Sequence, residues 1–122
     1  MAIDLVETVL NCLTEADQSQ EPTPIFDGLK TLKEACSGSG YDPGRFVANK
    51  GLDTATDGVV AYRKMTADRE YDCLAFNLNE LISADKARLL LKKASENGVP
   101  ARINGEVYVV DAEKLLIGIS LS

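Results

Sequence analysis

The segment Val99–Val110, "VPARINGEVYVV", decides the fold. Asn104-Gly105 stands between two short apolar runs, and an Asn-Gly link supplies the positive φ angles of a type I′ turn, whose twist matches that of the strands it joins. The segment therefore predicts an antiparallel hairpin. Downstream, a "DAEK" turn leads to a further strand, "LLIGISL". Upstream, Ala87, Leu90, Leu91 and Ala94 recur at helical spacing after Ser83, an N-cap residue type. This predicts a helix closed by Asn97-Gly98, with Pro100 just beyond.

Further toward the N-terminus, "GVVAYRKM" and "EYDCLAFNL" are rich in β-branched and aromatic residues, and "TADR" between them fits a hairpin turn. Leu74, Phe76 and Leu78 alternate with Cys73, Ala75 and Asn77, which points one set to the core. Residues 3–15 place Val6, Val9, Leu10 and Leu13 on one helix face. Thr23-Pro24 has the N-cap and N1 types of a second helix, whose stripe is Ile25, Leu29, Leu32 and Cys36. Tyr41 to Asp57 is irregular and rich in glycine and aspartate, and it reads as a loop with one short strand at Arg45–Ala48.

The expected fold is α+β: a mostly antiparallel sheet of about five strands, with three helices packed on one face in the order α-α-β-β-α-β-β-β. A chain of 122 residues fits a single domain over 1–122. No window reaches the roughly 18 consecutive apolar residues of a membrane span. The N-terminal run lacks a basic first region and carries Asp4 and Glu7, so it reads as a retained helix rather than a signal peptide. The three cysteines, Cys12, Cys36 and Cys73, are odd in number and widely spaced, which argues for reduced thiols and a cytoplasmic setting.

The net charge of −6 is uneven, since residues 1–82 hold 14 acidic and 7 basic side chains, while residues 83–122 hold 5 and 6. Direct binding to a nucleic-acid backbone needs a basic surface and is disfavoured, whereas a protein partner with a basic surface is favoured. DNA mimicry by an acidic inhibitor would need a denser charge.

Histidine is absent from the chain. That removes Ser-His-Asp and Cys-His arrangements, histidine-containing zinc sites, and the commonest general base near neutral pH. The stretch "KEACSGSGYDPGRF", Lys33–Phe46, has a cysteine, a glycine-serine loop and an arginine, yet Arg45 is misplaced for a phosphatase loop and the glycines leave a helix rather than enter one. Cys36 instead shares the apolar stripe of Leu29 and Leu32. "SADK", Ser83–Lys86, has the S-x-x-K spacing of penicillin-binding enzymes but reads as a helix cap. "DTATDG", Asp53–Gly58, starts like a calcium loop and then offers Ala55 and Lys64 where oxygen ligands belong. No cofactor and no metal are expected.

Tyr62, Tyr71 and Tyr108 fall on predicted strands, with Arg63 beside the first, and tyrosine is enriched at protein interfaces. The leading functional expectation is a small acidic, non-enzymatic protein-binding module of the adaptor, inhibitor, immunity-protein or secretion-chaperone kind. It would act through a sheet face presenting Tyr62, Arg63, Tyr71 and Tyr108, or as a homodimer. The alternative is a small-molecule-binding domain or histidine-independent enzyme with a pocket near the 38–58 loop, lined by Arg45, Lys50, Asp53 and Asp57.

Overall fold

The computed structural model describes residues 5–39, 42–52, 58–67, 69–80 and 82–121. Helices α1 (Leu5–Ser19), α2 (Thr23–Ser39) and α3 (Pro43–Asn49) precede the strands β1 (Val59–Met65) and β2 (Glu70–Asn77). A 3-10 turn (Leu78–Glu80) and helix α4 (Ala84–Ser95) lead to β3 (Ala101–Ile103), β4 (Glu106–Asp111) and β5 (Leu116–Ser120). All five strands pair antiparallel in the order β1-β2-β5-β4-β3. The fold is the expected α+β arrangement, with one more helix among the described residues than the sequence predicts.

Several local signals find their physical counterparts. Asn104 and Gly105 have φ of 51° and 82°, as a type I′ turn requires, so β3 and β4 form the expected hairpin. The Ser83 hydroxyl caps α4 by accepting from the Lys86 backbone N–H at 3.4 Å. The TADR turn closes where the Thr66 N–H donates to the Arg69 carbonyl at 2.9 Å.

The expected strand at Arg45–Ala48 is instead the helix α3. Asp42 accepts from the Arg45 backbone N–H at 2.9 Å, Pro43 occupies the first turn, and Phe46 is driven into the core. An Asp-Pro start outweighs the irregular look of the segment. Thr23 is likewise not the cap of α2 but its first helical residue, because the Pro22 carbonyl already accepts from Phe26. On α1 the buried face is Leu5, Val9, Cys12, Leu13 and Ala16, whereas Leu10, expected on the inner stripe, is 45% exposed.

The helices cover one face of the sheet. Val59, Leu74, Phe76, Tyr108, Val110, Ile117 and Ile119 point to that side and join the buried residues of α1, α2 and α4 in one hydrophobic cluster. Within the helical layer α2 packs against β2, β5 and α1, and the contact with α1 is close at Gly28. A Cβ there would stand 2.5 Å from the Cys12 Sγ and 3.1 Å from its Cβ. Gly28→Ala should therefore cost about 1–3 kcal/mol through overpacking, and removing the thiol in a Cys12→Ala/Gly28→Ala double variant should recover most of that loss. Urea unfolding of the three variants checks this; an additive double variant would contradict it.

Candidate functional site

The register assigns every strand residue to a face. Val60, Tyr62 and Lys64 of β1, Tyr71, Cys73 and Ala75 of β2, Leu116, Gly118 and Ser120 of β5, and Val107, Val109 and Asp111 of β4 share the face without helices. Tyr71, Cys73 and Val109 form a second, smaller buried cluster there, with Val107 packed against it.

That face buries itself by curling. The Tyr62 hydroxyl donates to Asp111 Oδ2, and the Lys64 ammonium lies 3.4 Å from the same oxygen. On a flat sheet Tyr62 and Asp111 would be about 20 Å apart, since β2 and β5 separate them by about 14 Å and a four-residue offset adds about 13 Å along the strands. The contact requires a sheet that twists and coils toward this side. Gly118 marks the tight point: a Cβ there would be 3.0 Å from both the Ala75 Cβ and the Leu74 carbonyl oxygen. A glycine inside a strand is the sequence signal of such a close approach.

Electrostatics follow from this geometry. Burial, then the hydrogen bond to Asp111 and its negative charge, push the Tyr62 hydroxyl up to about 12. Burial also pushes the Asp111 carboxyl up, but the Tyr62 hydroxyl, the Lys114 backbone N–H and the Lys64 ammonium outweigh it, leaving Asp111 below its ordinary value. The Lys114 ammonium lies 5.5 Å from the Tyr62 ring centre, and the Arg69 guanidinium stacks 4.6 Å over Tyr71. The buried thiols of Cys12 and Cys73 are pushed up to about 12 by burial first, so neither is a ready nucleophile near neutral pH.

The four residues expected on one binding face do not share it. Tyr71 is 2% exposed beneath Arg69, and Tyr108, 3% exposed, points into the helical side, where its ring tilts against Phe26 at 4.6 Å. Tyr108 borders a cleft of about 350 Å³ between α2, α4 and the β3–β4 turn. Tyr62 is half-buried in the network just described. Arg63 alone is fully exposed, on the helix-side face between Glu70 and Asp72, each 2.8 Å away.

Arg63 nonetheless marks the barest part of the sheet. Because β1 and β2 curl away from the helices, the helix-side residues Ala61, Arg63, Met65, Glu70 and Asp72 are all exposed, Met65 at 67%. A groove of about 450 Å³ runs between this arm and Asp42, Pro43 and Gly44 at the start of α3, with Ala61, Tyr62, Arg63, Asp72 and Cys73 along it. Of the alternative set, Arg45 pairs with Asp42 at 3.6 Å without lining the groove, Lys50 ends α3 in solvent, and Asp53 and Asp57 lie outside the described residues.

Sequence reasoning missed Asp111, because it heads what reads as a turn and its partners lie 47 and 49 residues away. Among the described residues no group of three or more His, Cys, Asp or Glu is placed to hold a metal, and no helix is long and apolar enough to cross a membrane. Comparison with protein-family models, with curated proteins and with solved structures finds no match.

Asp111 supports the fold through its charge. Its folded value lies below the ordinary 3.8, so its contribution is full above that pH and is lost as pH falls through the folded value. Asp111→Asn should cost about 1–3 kcal/mol near pH 7. Urea unfolding at pH 7 and at about pH 2 should show the gap to wild type narrowing in acid; an unchanged gap would assign the loss to packing.

Proposed function

We propose that this protein is a non-enzymatic protein-binding module that engages its partner through the β1–β2 arm. One observation carries the reading: the helical layer stops short of the arm, leaving Ala61, Arg63 and Met65 bare beside the groove. An exposed strand flanked by a groove offers both backbone hydrogen bonds and side-chain pockets to an extended segment. Asp42 and Asp72 on the groove against the single Arg63 favour a partner with a basic surface. The absence of histidine and the buried, raised thiols support binding over catalysis.

Met65→Glu, which places a charge on the bare arm, should lower capture of cross-linked partner from native lysate about tenfold, a loss of about 1.4 kcal/mol. Leu89→Glu on the exposed side of α4 should leave capture unchanged. Equal capture by the Met65 variant and wild type would overturn the arm as the binding element.

A small-molecule site is the second reading, favoured because residues 42–44 of the 38–58 segment form one wall of the groove and its volume falls among those of small-ligand sites. A nucleotide, sugar or metal ion that raises the melting temperature should lose that effect in Arg45→Ala, where the Asp42 carboxylate is released. A stabiliser that survives the change would place the site elsewhere.

A further inference from the structure

The cleft of about 350 Å³ between α2, α4 and the β3–β4 turn sits at the end of the sheet opposite the β1–β2 arm and shares no residue with the groove. Two cross-links pin its walls. The Lys33 ammonium pairs with Glu106 at 2.6 Å and ties α2 to β4. The Lys93 ammonium donates to the Gln20 carbonyl at 2.6 Å and lies 3.4 Å from Glu21, which ties α4 to the connection between α1 and α2. Glu21, Glu106 and Lys93 are thereby engaged within the chain. The side chains of Asp27, Lys30 and Glu96 also line the cleft, and among the described residues they meet no ion-pair or hydrogen-bond partner.

Phe26, Ile103 and Tyr108 give the cleft an apolar floor. Tyr108 is only 3% exposed, and its hydroxyl has one hydrogen-bond partner among the described residues, the Phe26 carbonyl at 3.4 Å. That distance is long for an O–H···O bond, and the hydroxyl oxygen keeps its lone pairs for a donor in the cleft. Burial, then the charges of Glu106 and Asp27, push this hydroxyl up to about 12, so it stays neutral and lies in a negative field.

These features narrow the ligand class. An anion would meet carboxylates, with Lys30 as the one lining ammonium not already engaged. The start of α2 offers it little, because the Ile25 and Phe26 N–H groups bond the Pro22 carbonyl and Pro24 has no N–H. A metal ion needs several ligands converging on one point, and among the described residues no three His, Cys, Asp or Glu are so placed. The two unengaged carboxylates instead stand on different walls, Asp27 on α2 and Glu96 at the end of α4. We propose that the cleft binds a small aliphatic diamine, whose two ammonium groups pair with Asp27 and Glu96 while its methylene chain covers Phe26, Ile103 and Tyr108. The last carbonyls of α4 favour a positive charge at the Glu96 wall, and the volume falls among those of small-ligand sites. The site stands apart from the arm and does not depend on it.

Calorimetric titration with putrescine at low ionic strength should show one saturable site, with a dissociation constant on the order of 1 mM, as two partly exposed ion pairs permit. Butylamine, with one ammonium, should bind about tenfold more weakly. Asp27→Asn and Glu96→Gln, isosteric changes at exposed positions, should each weaken binding about fivefold. Asp85→Asn removes the same charge at the other end of α4, about 16 Å away along the helix, and should leave binding unchanged. In isotope-labelled protein the amide signals of Ile103, Asn104 and Tyr108 should move during the titration while those of Ala61 and Arg63 stay. Equal weakening in all three variants would mean that the diamine only screens the net charge of −6, and would overturn the site. Butylamine binding as tightly as putrescine, or the dicarboxylate glutarate moving the same amides, would overturn it as well.

Discussion

The hydroxyl of Tyr62 and the carboxylate of Asp111 meet across two intervening strands, and much of the molecule's shape follows from that contact. The described helices supply one layer, enough to cover one face of a five-stranded sheet. Among the described residues the other face has no layer of its own. It excludes water by coiling until side chains from the edge strand reach β4, over a centre kept small by Ala75, Gly118 and Ser120. The Lys64 ammonium supplies the balancing charge at Asp111 and the Lys114 backbone N–H a further hydrogen bond, so a buried carboxylate is tolerated rather than left unpaired.

Coiling toward one side has a cost on the other. As β1 and β2 turn toward the bare face, they leave the helical layer behind, and Ala61, Arg63 and Met65 lose the cover that Val59, Leu74 and Phe76 keep. The same curl that closes one surface opens another, in the form of an exposed arm with a groove beside α3. Arg63 between Glu70 and Asp72 holds the arm's helix side together without burying it. The proposed function draws on this one consequence.

Most of the fold was legible in the sequence because its signals are local. Asn104-Gly105 specifies a turn by backbone conformation alone, Ser83 caps a helix three residues away, and Leu74 and Phe76 alternate with a period that admits one reading. The α3 helix escaped because its signal, Asp42-Pro43 before Phe46, is short and sits in glycine-rich surroundings. Coiling of the sheet was not legible at all, since it depends on a pairing 49 residues apart in sequence. For the same reason Tyr62, Tyr71 and Tyr108 could be placed on strands but not on faces: Tyr108 belongs to the helical side, and Tyr71 lies buried under Arg69. Gly118 was the one visible hint, a glycine within an otherwise apolar strand.

The central claim is that β1 bonds β2 through its even-numbered residues, and that the backbone groups of Ala61, Arg63 and Met65 meet no partner among the described residues. Residue-resolved amide hydrogen exchange in dilute protein tests it most directly. The account predicts slow exchange at Tyr62 and Lys64 and rapid exchange at Ala61, Arg63 and Met65. Amides of Ala61, Arg63 and Met65 as protected as those of Tyr62 and Lys64 would mean that the edge is covered, and would contradict it.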